Sequence, residues 1–212
     1  MKIWDISPLI HEKMATFPGD KSFARHVSMD FSRGDHLTLS SIESTLHIGA
    51  HADASNHYHK EGKGIEDRDL SLYLGPCQVI QVKIPPGERI KPEHLTGVKI
   101  ETTRILFRTD SFLDPNAWKN NFNSLSPELV EMLSAKYQIK LVGIDTPSVD
   151  PADSKSLETH SAIYACDMAI LEGIILSQVP PGVYTLIALP LRIKNADASP
   201  VRAILLNKDQ VL

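Results

Sequence analysis

The 212-residue sequence predicts an α/β fold, a mixed sheet with flanking helices. Short runs of β-branched and apolar residues recur along the chain, each closed by a turn signal. Helical spacing is confined to two or three segments. No internal repeat, low-complexity stretch or Gly/Ser linker separates these elements, so residues 1–212 read as a single domain. A chain of this length buries roughly 70% of its unfolded surface, so folding calls for neither a disulfide nor a structural metal.

Taken in order, Ile3 to Ile6 forms a first strand ended by Pro8, and Phe17-Pro18-Gly19-Asp20 is a turn. Leu37 to Leu46 alternates and is rich in β-branched residues, which predicts a strand. Cys77 to Ile84 is another, closed by Pro85-Pro86-Gly87, and Thr102 to Thr109 a third. A helix follows, with Ser126 as N-cap, Pro127 in the first helical position and Glu128 at the positive helix end. Leu129, Met132, Leu133 and Tyr137 recur along it at helical spacing. Leu141 to Ile144 is a short apolar strand, and a second helix opens at Ser156 or Thr159 and runs to Met168. Ala169 to Leu176, Val183 to Leu191 and Val201 to Leu206 complete the set as strands.

Composition narrows the function. The net charge is −4, from 22 Lys+Arg against 26 Asp+Glu, which argues against a nucleic-acid partner, since such modules carry a basic face. No apolar stretch approaches the ~18 residues that span a bilayer, so no membrane partner is expected. Cys77 and Cys166 are too few for a secreted disulfide framework. Trp4 and Asp5 stand where a signal peptide would begin its apolar run. A cytoplasmic protein with free thiols is the expectation.

Four of the nine histidines fall within thirteen residues, in the segment LHIGAHADASNHYH. His47, His51, Asp53 and His57 are spaced H-x3-H-x-D-x3-H. Imidazole nitrogen and carboxylate oxygen suit zinc and its neighbours, at about 2.0–2.2 Å from the metal. Donors around one ion therefore lie only ~3–4 Å apart. A straight strand would spread this set across ~20 Å, and a straight helix would turn Asp53 away from His47 and His51. A strand ending near Ile48, folded over Gly49-Ala50 and followed by a helix from Asp53, brings the donors together. His59, His11, His26, His36 and His94 read as surface residues. His160 in SLETHSAIY and Glu172 in AILEGIIL are candidates for further donors. Glu172 stands out because an ionised carboxylate within an apolar strand is costly to bury without a cation. Spacing points to a metal site and names no reaction.

The pattern H-x-G-A-H-x-D-A-x-x-H, with Phe17-Pro18-Gly19-Asp20 upstream and Leu171-Glu172-Gly173 downstream, resembles the bacterial cyclase-like metal hydrolases. The segments 145–151 (DTPSVDP) and 197–202 (DASPVR) are similar to the arylformamidase branch. The resemblance implies a swivelling cyclase-like fold, a homodimer, and a hydrolase holding two Zn2+ ions per subunit. It assigns His47, His51 and Asp53 to one zinc, with Asp53 bridging to the second, His160 to the second, and Glu172 to both. It makes His57 the acid/base group and Phe17 the substrate contact, at a position where the family commonly has Trp. Ala50 and Ser55 replace residues frequent in the family and leave every donor in place. The implied reaction, a step of tryptophan degradation, hydrolyses the small molecule N-formyl-L-kynurenine to L-kynurenine and formate. Two other readings share the motif: a manganese-dependent hydrolase of cyclic amides of the isatin hydrolase type, and a metal-binding protein of the same fold without turnover. Ser199, Arg202, Asp145 and Thr146 are candidates for holding the amino-acid end of the substrate, with the DTPSVDP loop equally readable as a rigid scaffold.

Overall fold

In a computed structural model, residues 2–207 are described; Met1 and residues 208–212 of the predicted domain lie outside them. The elements are β1 (Ile3–Asp5), β2 (Ala24–Met29), β3 (Leu39–Glu43), β4 (His51–Asp53), β5 (Leu74–Gln81), β6 (Arg89–Ile90), β7 (Arg104–Arg108), β8 (Ser124–Leu125), α1 (Pro127–Tyr137), β9 (Leu141–Ile144), α2 (Glu158–Ala165), β10 (Ala169–Glu172), β11 (Gly182–Ile187), β12 (Ala198–Pro200) and β13 (Ile204–Asn207). Nine strands form one mixed sheet in the order β1-β13-β11-β5-β7-β9-β10-β4-β12. Its centre, β5-β7-β9-β10, is parallel. The flanking pairs on both sides are antiparallel. The α/β class read from the sequence is the class observed.

The pleat divides the apolar side chains between two cores. On β7, Ile105 and Phe107 face the helices and pack with Leu129, Leu133 and Ile163, while Leu106 between them faces the other way. The second core draws Leu205 from β13, Leu186 from β11, Leu171 from β10 and Ala52 from β4. Strands near both ends of the order share one core, so the sheet curls around it. Strands buried on both faces read as continuous apolar runs, as β9 does with all four residues buried.

α1 begins as expected: Ser126 Oγ accepts the Leu129 N–H, Pro127 takes the first position, and Gln138 closes the helix in the left-handed region at φ 54°. Several boundaries differ from expectation. β5 starts at Leu74, because Gly75-Pro76 is tolerated where only β11 pairs with it; β7 joins from Gln78 onward. β10 stops at Glu172, because Gly173 at φ 64° turns the chain. The expected strand from Val201 to Leu206 begins only at Ile204, as β13 next to the edge strand β1, and β12, which was not anticipated, precedes it on the opposite edge of the sheet. β2 was not anticipated, and pairs only with β3 in a separate two-stranded sheet.

Candidate metal centre and active site

The histidine segment is bent differently from the expectation. β3 ends at Glu43, residues 44–50 are irregular, and His51–Asp53 is itself a strand; the expected helix from Asp53 is a single 3-10 turn over Ser55–His57. The bend at Gly49 is present, at φ 60°. A helix cannot start at Asp53 because β4 is hydrogen-bonded to β10 and β12 on both sides. The strand solves the geometry more simply. His51 and Asp53 are two apart and so share one face of β4. Glu172 lies directly across from His51 on β10 and projects from that same face. His51 Nε2 is 3.2 Å from Glu172 Oε2.

The remaining donors arrive from outside the strand. His47, on the irregular segment, places Nδ1 3.1 Å from Asp53 Oδ1. His160, in the first turn of α2, places Nε2 3.5 Å from Asp53 Oδ2 and 3.7 Å from Glu172 Oε1. His57 sets its ring 4.1 Å from that of His47, tilted by 42°. All six residues singled out as donors or acid/base group thus meet in one place. Two trios, His47–Asp53–His57 and His51–Asp53–Glu172, have donor atoms within 4.8 Å of one another, and Asp53 belongs to both.

The chemistry of this cluster fits a metal. Asp53 is 2% exposed, yet neither of its carboxylate oxygens has a hydrogen-bond partner, and neither does His51 Nε2. Imidazole nitrogens lie close to those oxygens but are not angled to donate to them; the atoms aim at shared space. A buried carboxylate left this way is strongly unfavourable without a cation among the donors. Burial by itself would lower His47 and His160, but carboxylates override it. Asp53 and Asp197 raise His47 to about 9, and Asp150 with Asp53 and Glu172 raises His160 to about 10. Asp53 is held well below its ordinary value despite its burial, by His47, His160 and His51. The ion-free cluster therefore gathers protons where positive charge is wanted. His57 behaves differently: desolvation lowers its pKa, against the pull of Asp53.

Two residues that the motif reading passed over hold the donors in place. Asp150, fully buried, accepts the N–H groups of Thr159 and His160 at the start of α2 and sits 2.8 Å from His160 Nδ1. It caps the helix and fixes which nitrogen of His160 faces the cluster. The Val149 N–H donates to Glu172 Oε1 at 2.7 Å. Both lie in DTPSVDP, so that loop orients donors, while its Pro147 and Ser148 also line the cavity. Asp145 lines it too, but its carboxylate is engaged by the Thr109 and Asp110 amides and the Thr109 hydroxyl. Gly173 is constrained as well: a Cβ there would sit 2.1 Å from the Gly49 carbonyl oxygen, so the bend and the end of β10 touch directly.

A cavity of about 300 Å³ opens over the donors, a size that suits a one-ring substrate. Its apolar wall includes Phe17, Phe112, Trp118 and Ile175. Phe17 packs edge-on against Trp118 at 5.0 Å, and Trp118 in turn against Phe112 and Phe122. The indole absent from position 17 is thus supplied next to it by a loop 101 residues away, a contact that no local spacing announces. Ser199 and Arg202 do not line the cavity. Ser199 is buried and spends its hydroxyl on Leu191 and Pro200, and Arg202 is paired with Asp5. Among the other histidines, His26 and His36 are exposed, while His11, His59 and His94 are partly buried and stand outside the cluster.

A curled mixed sheet presenting buried imidazoles and carboxylates at the floor of an apolar cavity defines a metal-dependent hydrolase of the cyclase type. Residues 4–151 match the family model described as putative cyclase. A kynurenine formamidase of Sphingopyxis alaskensis is 39% identical over 205 residues, covering 96% of this chain and 97% of that protein. Kynurenine formamidases of Delftia acidovorans and Bordetella avium are each 41% identical with the same coverage. Among solved structures, one described as a potential metal-dependent hydrolase with cyclase activity superposes with a TM-score of 0.82 at 26% identity, covering 96% of both chains. Isatin hydrolase A from Labrenzia aggregata gives 0.80 at 21% identity, covering 96% of this chain and 93% of that one, a likeness of fold alone. The chain belongs to the cyclase family, and within it to the kynurenine formamidases. No helix among the described residues is long and apolar enough to cross a membrane.

Proposed function

We propose that this protein is an arylformamidase that hydrolyses N-formyl-L-kynurenine to L-kynurenine and formate, in tryptophan degradation, with two zinc ions per subunit. The observation that carries the reading is the intact donor cluster in a chain about 40% identical, over nearly its full length, to kynurenine formamidases. Asp53 turns Oδ1 toward His47 and His51 and Oδ2 toward His160, which supports a pair of ions with Asp53 between them. His47 and His51 would serve the first ion, His160 the second, and Glu172, facing both His51 and His160, would be shared. Zinc bound there would supply Lewis acidity, acidifying water and polarising a carbonyl oxygen.

The chain's own residues do the rest. His57 has the most accessible side chain among the clustered histidines, at 35% exposure, and burial lowers its pKa. It accepts the proton of the attacking water and returns it to the aryl nitrogen as the C–N bond breaks, since an amide nitrogen leaves poorly unprotonated. The apolar wall keeps bulk water from the aryl ring, and Phe17 meets that ring, a contact worth ~0.5–1.5 kcal/mol beyond its buried area. Phe17→Ala is expected to raise KM for N-formyl-L-kynurenine more than it lowers kcat. An unaltered KM in steady-state kinetics would remove Phe17 as a substrate contact.

The deciding measurement is formate release from N-formyl-L-kynurenine by metal-replete and chelated protein, with isatin in a parallel assay. Release only from isatin, or release unaffected by chelation, would refute the reading. Zinc rather than manganese is the ion expected in metal analysis of the active protein. A cytoplasmic setting is supported by two free thiols, Cys77 buried and Cys166 partly so. The homodimer is supported by the β2–β3 sheet, where Ile42 is 70% and Leu39 53% exposed. A two-stranded hairpin is marginal unless another surface covers it. Sedimentation as a 23.5 kDa species would refute the dimer.

A further inference from the structure

Asp197 stands immediately before β12 with its side chain 49% exposed at the cavity, and the motif reading gave it no role. Its position is tied by main-chain bonds, through Ala54, to the turn that carries His57. The Ala54 N–H donates to the Asp197 carbonyl at 2.8 Å, and the His57 N–H donates to the Ala54 carbonyl at 3.0 Å. β12 pairs with β4 so that Ala198 lies opposite Asp53. The backbone is therefore fixed while the carboxylate remains free to turn. One of its oxygens, Oδ2, lies 3.1 Å from His47 Nε2 and 3.9 Å from His57 Nδ1. No other ion pair of Asp197 occurs within 4.0 Å among the described residues.

The two distances mean different things. At 3.1 Å His47 Nε2–H donates to the carboxylate, which leaves the lone pair on Nδ1. That nitrogen is the one facing Asp53 Oδ1, so the hydrogen bond selects the tautomer able to bind a metal. At 3.9 Å His57 is not hydrogen-bonded to the same oxygen, and a small turn of either side chain closes the gap.

We infer that Asp197 is a positioning residue shared by two imidazoles: it fixes His47 with Nδ1 toward the metal and holds His57 in line as that ring carries its proton. The second half rests on the acid/base reading of His57. The first half stands without it.

Asp197→Asn, Asp197→Glu and the parent protein would be compared in two measurements. Zinc affinity of the metal-free proteins, read by competition with a chromophoric chelator, is expected to fall 10–100-fold in the Asn variant, the range for loss of a carboxylate behind a metal-bound histidine. The kcat of the zinc-loaded Asn variant is expected to fall on N-formyl-L-kynurenine and on formanilide alike, with KM little changed. Asp197→Glu should recover part of both losses. Zinc affinity equal to the parent's in the Asn variant would overturn the inference. So would a loss confined to KM for N-formyl-L-kynurenine with formanilide unaffected, because Asp197 would then be reading the substrate's ammonium group. Should the parent release formate from neither compound, the arylformamidase reading fails, while the chelator competition still decides whether Asp197 positions His47. Urea unfolding of the metal-free variants, expected to match the parent, separates these effects from a loss of fold.

Discussion

His57→Ala is expected to lower turnover of N-formyl-L-kynurenine by about 10²–10⁴-fold while metal content stays unchanged. The magnitude is the span over which a positioned acid/base group accelerates proton transfer. The selectivity follows from where the residue sits. Its main chain closes the 3-10 turn over Ser55–His57, through bonds that alanine preserves. Its side chain is 35% exposed, so truncation leaves no sealed hole and little stability is lost. His57 is also close enough to Asp53 and His47 to be counted with them as a possible donor. The two roles separate cleanly in one experiment: metal analysis and single-turnover formate release on the same preparation. Loss of an ion from the alanine variant would make His57 a ligand, and full turnover would remove it from the chemistry.

Asp53→Ala is expected to empty both metal positions and to abolish formate release. Asp53 is the one residue common to both donor trios, so its removal takes a negative charge from each. It also faces both His47 and His160, whose imidazoles would lose part of the attraction that offsets their desolvation. Elemental analysis after dialysis is the direct measurement. Retention of the parent's full metal content would refute a shared ligand at this position. Removing His51 or His160 instead acts on one ion, so partial retention is expected there, and the contrast between the variants tests the sharing.

The side chains that gather in the cluster were legible in the chain. Residue type and spacing single out His47, His51, Asp53 and His57 because four ligating groups so close together have few other uses. Glu172 was marked by its cost: a carboxylate in the apolar run AILEGIIL must be paid for by something nearby. α1 was legible because its cap, first-turn proline and helical stripe are local features, read within a dozen residues. The bend at Gly49 was legible for the same reason.

What lay beyond the sequence was everything set by register and by distant loops. The expected helix at Asp53 gave way to β4 because neighbouring strands on both sides claim its backbone, and pairing with segments so distant in the chain leaves no mark on local spacing. Cross-strand placement put Glu172 opposite His51, and a capping carboxylate at Asp150 chose the nitrogen that His160 presents. Trp118 behind Phe17 and Asp197 beside His47 and His57 have the same origin. Sequence by itself determined which side chains can bind a cation and move a proton, since that is a property of each residue's chemistry. The tertiary structure alone decided their distances, tautomers and burial, because those depend on which backbone groups, far apart along the chain, satisfy one another's hydrogen bonds.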